Sequence, residues 1–354
     1  MKVVILNRAP SNLSPSQSFR HFHYIGINNK SNIEFDTYSF FSQDTWRIYH
    51  KTGHYLHKTI GILSGFLKRI TLLFSLSKYN YVYIHREATP VGPPFIEWII
   101  AKLLRKKIIF DFDDAIWIET SSEANPFSSY LKCSWKTKHI CKYSHIVTVG
   151  NQYLADYAKQ FCKDVRIIPT VVDTNQLHNR LKNQNDTPIT IGWTGTFTNL
   201  LHLDLVLGAL KKLKEKYQFS FLIIANKDPE FKDIDYQYID WTINSEIDDL
   251  MKINIGLMPL IDKEFQLGKC AFKAIQYMSL GIPSVVSPVG ANCEVVIDGE
   301  NGFWANSENE WIEKLELLIN DKFLREEMGK KSRQKVIETY SVEATQNMFY
   351  QLFK

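Results

Sequence analysis

The sequence predicts an α/β protein made of two doubly wound, Rossmann-like domains that face each other across a cleft. Three observations lead to this prediction. Short apolar runs alternate with helix-like segments in the first half of the chain, the polar stretch Thr174–Pro188 interrupts them, and the alternation then starts again. Two such series joined by a linker are typical of two domains built from parallel strands and helices.

The predicted strands of the first half are short runs rich in β-branched and aromatic residues, as buried parallel strands are. They are Val3–Leu6, Tyr81–Ile84, Lys107–Phe112, His145–Val149 and Val165–Ile168. Helix-like segments such as Pro94–Leu104 and Tyr153–Phe161 lie between them. We therefore expect a first domain over residues 1–173.

The second half repeats the pattern after the polar linker. Its predicted strands are Thr190–Trp193, Ser220–Ala225, Ile253–Met258 and Ser284–Ser287. Its predicted helices are Leu201–Tyr217, Ile247–Lys252, a pair over Glu308–Tyr340, and a last helix, Val342–Phe353. We expect a second domain over residues 174–335 and a separate C-terminal helical segment over 336–354.

Length and composition limit the function classes. The chain has 354 residues, of which 45% are hydrophobic, and a formal net charge of +4. A chain of this size can bury two full cores. The mild charge and the lack of a dense basic arm argue against a nucleic-acid partner. A positive balance does suit an anionic ligand or an anionic membrane surface.

Five cysteines without a CxxC pair indicate reduced thiols and a cytoplasmic protein. The N-terminus has no apolar core of a signal peptide, and no apolar run of about 18 residues predicts a spanning helix. The apolar segment Gly61–Leu76 contains Lys68 and Arg69. It has two interpretations, a core helix or a helix lying on a membrane surface.

Ligands of open α/β sheets bind beyond the carboxyl ends of the strands, so the loops there are the first places to look for a site. The loop Gly192–Asn199 contains Thr194, Gly195 and Thr196, whose N–H groups and hydroxyls could contact a phosphate. A plain turn that needs glycine is the equal alternative. The loop lacks GxGxxG, so a dinucleotide fingerprint is not predicted.

The stretch Gly268–Gly290 begins with a run that we expect to be helical from its start. At about 100° per residue, one face of this helix carries Lys269, Lys273 and Gln276. Cations in the first turns of a helix are unfavourable unless an anion is bound there. The pattern therefore favours a phosphate site over a merely solvated helix face.

The end of the predicted strand Lys107–Phe112 carries Asp111, Asp113 and Asp114. Carboxylates there favour hydrogen bonding to a substrate over a metal site, because no further ligand cluster lies nearby. Another strand ends in His85, Arg86 and Glu87, which are either site residues or members of a local ion pair. We take Arg86, Glu87 and Asp114 as candidate contacts to acceptor or phosphate.

Four segments together resemble one family, the retaining glycosyltransferases of the GT-B fold, family 4 (glycosyl transferases group 1). They are "IGWTGT", "DWTINSEIDDLMKINIGLMPL", "GKCAFKAIQYMSLGIPSVVSPVGANCEVVIDGENGFW" and "IIPTVVDT", and the likeness is strongest over Ile191–Trp304. The resemblance implies sugar transfer from a nucleotide sugar, with the donor on the C-terminal domain. It also implies that the last helix packs back on the N-terminal domain.

The resemblance also implies roles for residues of the second domain. The family's two glutamates, eight residues apart, match Gly268 and Gln276, so both acids are missing here. Gln276 can still bind a ribose hydroxyl, because an amide both donates and accepts hydrogen bonds. Lys269 and Lys273 look like partners of the donor diphosphate, and Trp241 looks like a residue flanking the nucleotide base.

The first domain departs from the family pattern in two places. The paired glycines after the first strand are replaced by the segment Arg8–Arg20, where Ser18 and Arg20 could still approach the phosphates. The histidine expected at the end of the fourth strand is replaced by Asp113. We expect Asp113 to be the catalytic residue and to hold hydroxyl groups of the acceptor or donor.

The expected function is that of a hexosyltransferase-type enzyme of polysaccharide or glycolipid synthesis that needs neither metal nor cofactor. Its expected partners are a nucleotide-sugar donor, a saccharide or lipid-linked acceptor and the inner face of a membrane, with no nucleic acid. Two alternatives remain open: a nucleotide-sugar epimerase on the same fold, and a non-catalytic sugar-binding protein.

Overall fold

The computed structural model consists of two compact units, each with a six-stranded parallel sheet and helices around it. Unit 1 contains Met1–Thr170 and Gln346–Lys354, and unit 2 contains Val171–Thr345. This confirms the predicted α/β class. The structure describes residues 1–10, 15–26, 32–49, 51, 53–119 and 132–354.

The sheet of unit 1 has the strand order β2-β1-β3-β4-β5-β6. The strands are β1 (Lys2–Asn7), β2 (Glu34–Ser39), β3 (Tyr81–His85), β4 (Lys107–Phe112), β5 (Ile146–Val149) and β6 (Val165–Ile167). The chain moves from β1 to one side of the sheet and returns to the other side at β3. The strand order therefore reverses between β1 and β3.

Seven α-helices lie in the described part of unit 1. They are α1 (Pro15–Gln17), α2 (His23–Gly26), α3 (Gln43–Tyr49), α4 (Tyr55–Leu73), α5 (Phe95–Trp98), α6 (Lys136–Tyr143) and α7 (Gln152–Lys159). The π-helical segment Ser18–Phe22 joins α1 to α2, Ile99–Leu103 extends α5, and Leu76–Lys78 is a 3₁₀ turn. None of the helices described is long and apolar enough to cross a membrane.

The sheet of unit 2 has the strand order β12-β11-β10-β7-β8-β9. The strands are β7 (Ile189–Gly195), β8 (Phe219–Ala225), β9 (Gln237–Asp240), β10 (Ile255–Met258), β11 (Ser284–Val286) and β12 (Gly302–Trp304). β7 pairs in parallel with β8 on one side and with β10 on the other. The strand order of unit 2 therefore reverses between β7 and β10.

The α-helices of unit 2 cover both faces of this sheet. They are α8 (Asp204–Lys214), α9 (Glu246–Leu250), α10 (Glu264–Leu267), α11 (Phe272–Ser279), α12 (Asn292–Val295), α13 (Glu308–Asn320) and α14 (Lys322–Lys335). A 3₁₀ segment, Phe197–Leu203, precedes α8, and a π-helical segment, Val336–Tyr340, follows α14. A capping box formed by Ser307 and Glu310 sets the start of α13.

The predicted linker Thr174–Pro188 is packed onto unit 2 rather than free. Gln184 is buried, and its side-chain oxygen accepts from Asn254 Nδ2 and Arg325 Nε, each at 3.2 Å. Most of this stretch is exposed, as its polar composition predicts, but the buried Gln184 attaches it to unit 2 through hydrogen bonds that a buried polar group requires. The two units meet in sequence between Thr170 and Val171 rather than at residue 173.

The last helix, α15 (Val342–Tyr350), begins in unit 2 and ends in unit 1. Phe349 stacks on Tyr24 with ring centroids 4.5 Å apart, and the Tyr350 hydroxyl donates to the Tyr24 carbonyl at 2.6 Å. In the 3₁₀ turn Gln351–Phe353, Phe353 meets the Tyr81 ring edge-on at 5.8 Å. The C-terminal segment of unit 1 begins at Gln346 rather than at residue 336.

Candidate functional site

The reversal of strand order between β7 and β10 creates a crevice at the carboxyl ends of these strands, where ligands of doubly wound sheets bind. On one side lies the loop after β7, and on the other lies the segment that leads from β10 to α11. Lys269 and Lys273, which the sequence singles out, lie on this second segment. The crevice is therefore the first candidate site.

The helix that carries the lysines begins later than the sequence predicts. Ala271 adopts the left-handed backbone conformation, with φ of 52°, and α11 starts at Phe272. A left-handed residue interrupts the helical backbone. Lys269 therefore precedes the helix, and only Lys273 lies in its first turn, so the predicted common helical face of the two lysines is wrong.

Both lysines nevertheless reach the loop after β7. Lys269 Nζ donates to Asn199 Oδ1 at 3.2 Å. The Lys273 side chain crosses Gly195 closely, since a Cβ at residue 195 would lie 2.7 Å from Lys273 Cε and 2.7 Å from the Trp193 ring. Gly195 is thus required by this close approach. Tertiary packing, rather than a shared helix, brings the two charges together.

The charges of Lys269 and Lys273 both act on the pKa of His202. Its ring is buried, and Nδ1 accepts from the Ile261 backbone N–H at 3.3 Å, which leaves the proton of the neutral imidazole on Nε2. Burial, with the positive charges of Lys269 and Lys273, lowers the pKa of His202 to about 4. The crevice therefore concentrates positive charge beside a neutral histidine, an environment that suits an anion.

The two threonines of the loop differ in what they can offer a ligand. The Thr194 backbone N–H is buried and donates to Tyr277 Oη at 2.9 Å, so it is used within the protein. Thr196 is exposed, and its hydroxyl accepts from Asn199 Nδ2 at 2.7 Å. Thr196, rather than Thr194, is therefore accessible to a ligand in this loop.

A second polar cluster lies where β9 ends. Trp241 Nε1 donates to Glu246 Oε1 at 2.9 Å. Burial raises the pKa of Glu246, against the opposing effects of the Trp241 indole and the Gln276 amide. Gln276 Nε2 approaches this carboxylate but is buried without a hydrogen-bond partner in the part of the chain that the structure describes. Lys273 and Gln276 are one turn apart on α11, so the two clusters are adjacent.

The reversal point of unit 1, between β1 and β3, is also polar. Asp111 is fully buried and accepts from Arg20 Nε at 3.2 Å, Thr148 Oγ1 at 2.7 Å and His85 Nδ1 at 2.9 Å. Burial opposes its ionisation, but the Arg20 guanidinium outweighs burial and holds the pKa of Asp111 well below its usual range. Asp111 is therefore an anchor for the groups around it.

His85 extends this anchor to a hydroxyl group. Because Nδ1 donates to Asp111, Nε2 accepts from the Ser16 hydroxyl at 2.7 Å. Ser16 is partly exposed, whereas His85 and Asp111 are buried. The resulting chain of hydroxyl, imidazole and carboxylate orients the Ser16 oxygen at the end of β1.

Arg20 does not fit the expected contact with a phosphate. Its guanidinium is buried, and it donates to Asp111 and to the Ile168 carbonyl. These partners take up the guanidinium inside unit 1, so the expected phosphate contact stays a prediction that these hydrogen bonds do not favour. Ser18, the other expected phosphate contact, is partly exposed at the start of the π-helical segment Ser18–Phe22.

Arg86 and Glu87 belong to local ion pairs. Arg86 Nε donates to Asp113 Oδ1 at 2.9 Å, and Arg86 Nη2 lies 2.5 Å from Asp114 Oδ2. Glu87 is buried and lies 2.8 Å from Lys136 Nζ. Of the two interpretations that the sequence leaves open for the segment after β3, the structure shows the ion pairs.

Asp113 lies at the end of β4 with its carboxylate near the surface of unit 1. Burial opposes its ionisation, but Arg86 outweighs burial and lowers the pKa of Asp113. A carboxylate that stays ionised at neutral pH can accept hydrogen bonds and stabilise positive charge, but it is a weak base.

Within the described ranges, no group of three or more His, Cys, Asp or Glu residues could hold a metal ion.

Comparison with known proteins identifies a family model that matches part of unit 2. Residues 188–321 match the family model of glycosyl transferases group 1, and this region runs from β7 to α13 and contains both lysines. No curated protein sequence matches the chain.

Solved structures with the same architecture include sucrose-phosphate synthase from Thermosynechococcus elongatus, with a TM-score of 0.67 and 15% identity over 99% of this chain and 98% of that one. HepE from Anabaena in complex with UDP has a TM-score of 0.69 and 12% identity over 99% of each chain. A glycosyltransferase from Rickettsia africae has a TM-score of 0.65 and 13% identity over 100% of this chain and 97% of that one.

These findings define the class of fold. The two parallel six-stranded sheets form the α/β two-domain fold of the GT-B glycosyltransferases. Within unit 2, residues 188–321 match the glycosyl transferases group 1 model, and the lysine crevice lies inside this matched region.

Proposed function

We propose that this protein transfers a sugar from a nucleotide-sugar donor to a saccharide or lipid-linked acceptor, with retention of the anomeric configuration. The observation that carries the proposal is the convergence of Lys269 and Lys273 on the Gly195 loop, at the reversal point of the group 1 domain. Structures of HepE with UDP and with UDP-glucose support a uridine diphosphate sugar as the first donor to examine.

Each cluster of unit 2 has a role in this proposal. Lys269 and Lys273 hold the diphosphate and stabilise the charge that develops on it as the glycosidic bond breaks. Gln276 and Glu246 hold the ribose hydroxyls, since a buried amide without a partner gains a hydrogen bond there. Trp241 lies against the base, and its indole position is set by Glu246.

Unit 1 supplies the polar groups for the acceptor. Asp113, kept ionised by Arg86, accepts hydrogen bonds from sugar hydroxyls, and Ser16 is oriented for the same purpose by His85. Because the Asp113 carboxylate is paired with Arg86, we propose a front-face transfer without a covalent intermediate. The proposal includes no metal or cofactor, and it places the enzyme in cell-surface polysaccharide or glycolipid synthesis at the inner face of a membrane.

The function is tested by incubating the full chain with UDP-glucose, UDP-galactose and UDP-N-acetylglucosamine, with and without saccharide acceptors, and measuring UDP release. A transferase releases UDP quickly only when an acceptor is present. The anomeric coupling constant of the product, measured by NMR, then reports retention. An epimerised free sugar or nucleotide sugar without any acceptor would contradict transfer in favour of the epimerase, and tight donor binding without turnover would favour a binding protein.

Asp113→Asn is expected to reduce transfer by about 100-fold, because the amide keeps the size of the side chain but loses its charge. The fold should be retained, since Asp114 still pairs with Arg86. Initial rates and the melting temperature measure the two effects. Asp114→Asn removes the other partner of Arg86, so an equal loss in that variant would assign the effect to the placement of Arg86 and contradict a direct role of Asp113.

A further inference from the structure

Helix α4 has an exposed face that sugar transfer does not explain. Its buried side consists of Gly61, Gly65, Arg69 and Leu72. The glycines allow a close approach, since a Cβ at Gly61 would lie 2.3 Å from Thr45 and one at Gly65 would lie 2.4 Å from the Phe40 ring. The apolar side chains of α4 therefore lie mainly on its outer side.

These outer side chains form one continuous row, which we call the α4 stripe. It consists of Leu56, Ile60, Leu63, Leu67, Ile70 and Phe74. Leu63 is 63% exposed, Leu67 62% and Phe74 85%. Steps of four and three residues keep the row on one side of the helix over about 27 Å. A surface helix normally carries polar residues there, and a large exposed apolar patch indicates an interaction surface.

The charges around the α4 stripe are mainly positive. Between residues 51 and 110 the only acidic residues are Glu87 and Glu97, and both are buried. On α3, which packs beside α4, Asp44 lies 3.8 Å from Arg47. The basic residues at the surface of this region include Lys58, Lys68, Lys78, Lys102 and Lys106. A surface that combines apolar and basic side chains complements an anionic lipid surface.

Helices α4, α5 and α6 lie on one face of the sheet. They connect β2 to β3, β3 to β4, and β4 to β5, all in the same direction, and right-handed crossovers place such helices on one side. All three helices also form hydrogen bonds with the loop after β3. Arg69 of α4 donates to the Ala88 carbonyl, and Glu97 of α5 accepts from the Ala88 N–H. Lys136 of α6 donates to the Thr89 carbonyl.

This shared face adds exposed aromatic side chains to the α4 stripe. Phe95, Trp98 and Trp135 are exposed and, with Tyr143, line a cavity of 440 Å³ between α5 and α6. Tryptophan and tyrosine are the residues that prefer the boundary between lipid and water. The same face therefore presents all three components of an interfacial membrane surface: an apolar helix, lysines and tryptophans.

We propose that unit 1 binds the surface of an anionic lipid bilayer through the α4 stripe, with α4 lying along the membrane and Lys68, on the flank of the helix, at the headgroups. The inference stands on unit 1 alone, so it goes beyond the sugar-transfer proposal and does not depend on it. It specifies the binding surface, the orientation of the helix and the charge of the lipid.

The test is co-sedimentation of the full chain with vesicles of phosphatidylcholine containing 30 mol% phosphatidylglycerol, compared with pure phosphatidylcholine vesicles. We expect binding to the anionic vesicles that weakens with added salt. Leu63→Ser with Leu67→Ser should weaken binding by about 10-fold or more, because both side chains leave the lipid. Lys68→Glu should also weaken binding, by about five-fold or more.

A matched pair of single variants controls for the loss of surface apolar area. Phe74 in the α4 stripe and Phe323 in unit 2 are 85% and 78% exposed. Phe74→Ser should weaken vesicle binding, whereas Phe323→Ser should not. All of these side chains are exposed, so circular dichroism should show an unchanged fold.

Three results would overturn the proposal: no binding of the wild-type chain to anionic vesicles, equal binding to neutral vesicles, or wild-type binding in the Leu63→Ser, Leu67→Ser variant. Light scattering without lipid identifies the competing occupant, a second copy of the chain. A wild-type dimer that becomes monomeric in this variant, together with absent vesicle binding, would assign the α4 stripe to self-association.

Discussion

Asp111→Asn is expected to lower the free energy of unfolding of unit 1 by about 3–5 kcal/mol, because removing one partner of a buried ion pair leaves the other charge uncompensated. The charge left behind is the Arg20 guanidinium, which is 1% exposed. His85 and Thr148 also lose their carboxylate acceptor. Urea denaturation measures the loss, and hydrogen exchange of peptides from β3 and β4 assigns it to unit 1.

Two controls separate this effect from a general effect of losing a carboxylate. Asp164→Asn breaks a surface pair with Arg166, whose side chains are 41% and 39% exposed, and should cost about 1 kcal/mol or less. Arg20→Gln combined with Asp111→Asn should be more stable than Asp111→Asn alone, because no unpaired charge remains buried. Equal losses in Asp111→Asn and Asp164→Asn would contradict the role of Asp111 as an anchor.

The lowered pKa of Asp111 also sets the pH dependence. A carboxyl group whose pKa is lower in the folded state stabilises the fold fully above its unfolded pKa of about 3.9. That contribution is lost as the pH falls through the lower folded pKa. The wild-type protein should therefore lose stability in acid more steeply than Asp111→Asn.

The second large effect is expected on donor binding. Lys273→Ala and Lys269→Ala should each weaken UDP binding by about 10- to 150-fold, the value of one charge-assisted hydrogen bond. Melting temperatures should change little, and Lys273→Ala should be slightly stabilising, because Lys273 is a cation in the first turn of α11. Calorimetric titration with UDP and thermal unfolding of the same samples measure both quantities.

A matched lysine and a neutral neighbour complete this test. Lys232→Ala removes an exposed lysine of unit 2 and should leave UDP affinity unchanged. Gln276→Ala should weaken binding less than either lysine variant, because its amide contacts a neutral hydroxyl. Wild-type UDP affinity in both Lys269→Ala and Lys273→Ala would exclude the crevice as the diphosphate site.

His202 provides a readout that needs no turnover. The two lysines contribute to its lowered pKa of about 4, so removing either positive charge should raise that pKa. Binding of UDP should raise it as well, because an anion near the lysines favours the imidazolium form. NMR titration of the His202 ring follows both changes. An unchanged pKa with bound UDP would show that the anion lies elsewhere.

Much of the fold could be predicted because buried strands carry a local signal. Nine of the twelve strands appear in the sequence as short apolar runs, and their observed bounds differ from the predicted ones by at most two residues. The other three, β2, β9 and β12, all lie at a sheet edge. The residues of β2 and β9 are exposed or only partly buried, so no continuous apolar run marks these strands, and β12 has only three residues.

The candidate site was less predictable. Lys269, Lys273 and the Gly195 loop could be selected from their residue types, but their meeting depends on a left-handed turn at Ala271 that the sequence did not reveal. Ser16 and Glu246 were missed. Glu246 lies five residues after Trp241, within the segment that resembles the family. This position was the one signal in the sequence that could have identified Glu246 as a site residue. For Ser16, the partner His85 lies 69 positions away in sequence.

The sequence by itself determined the class of fold, the positions of the interior strands and the residue types at the strand ends, because burial and helical or strand periodicity are properties of neighbouring residues. Only the tertiary structure decided the partners of the polar groups. Arg20 donates a hydrogen bond to Asp111, and Lys269 donates to Asn199 from a position before the helix. The physical reason is that sheet order brings strand ends together. Charged residues that are distant in sequence therefore come close together where the strand order reverses, and the local sequence pattern does not predict these contacts.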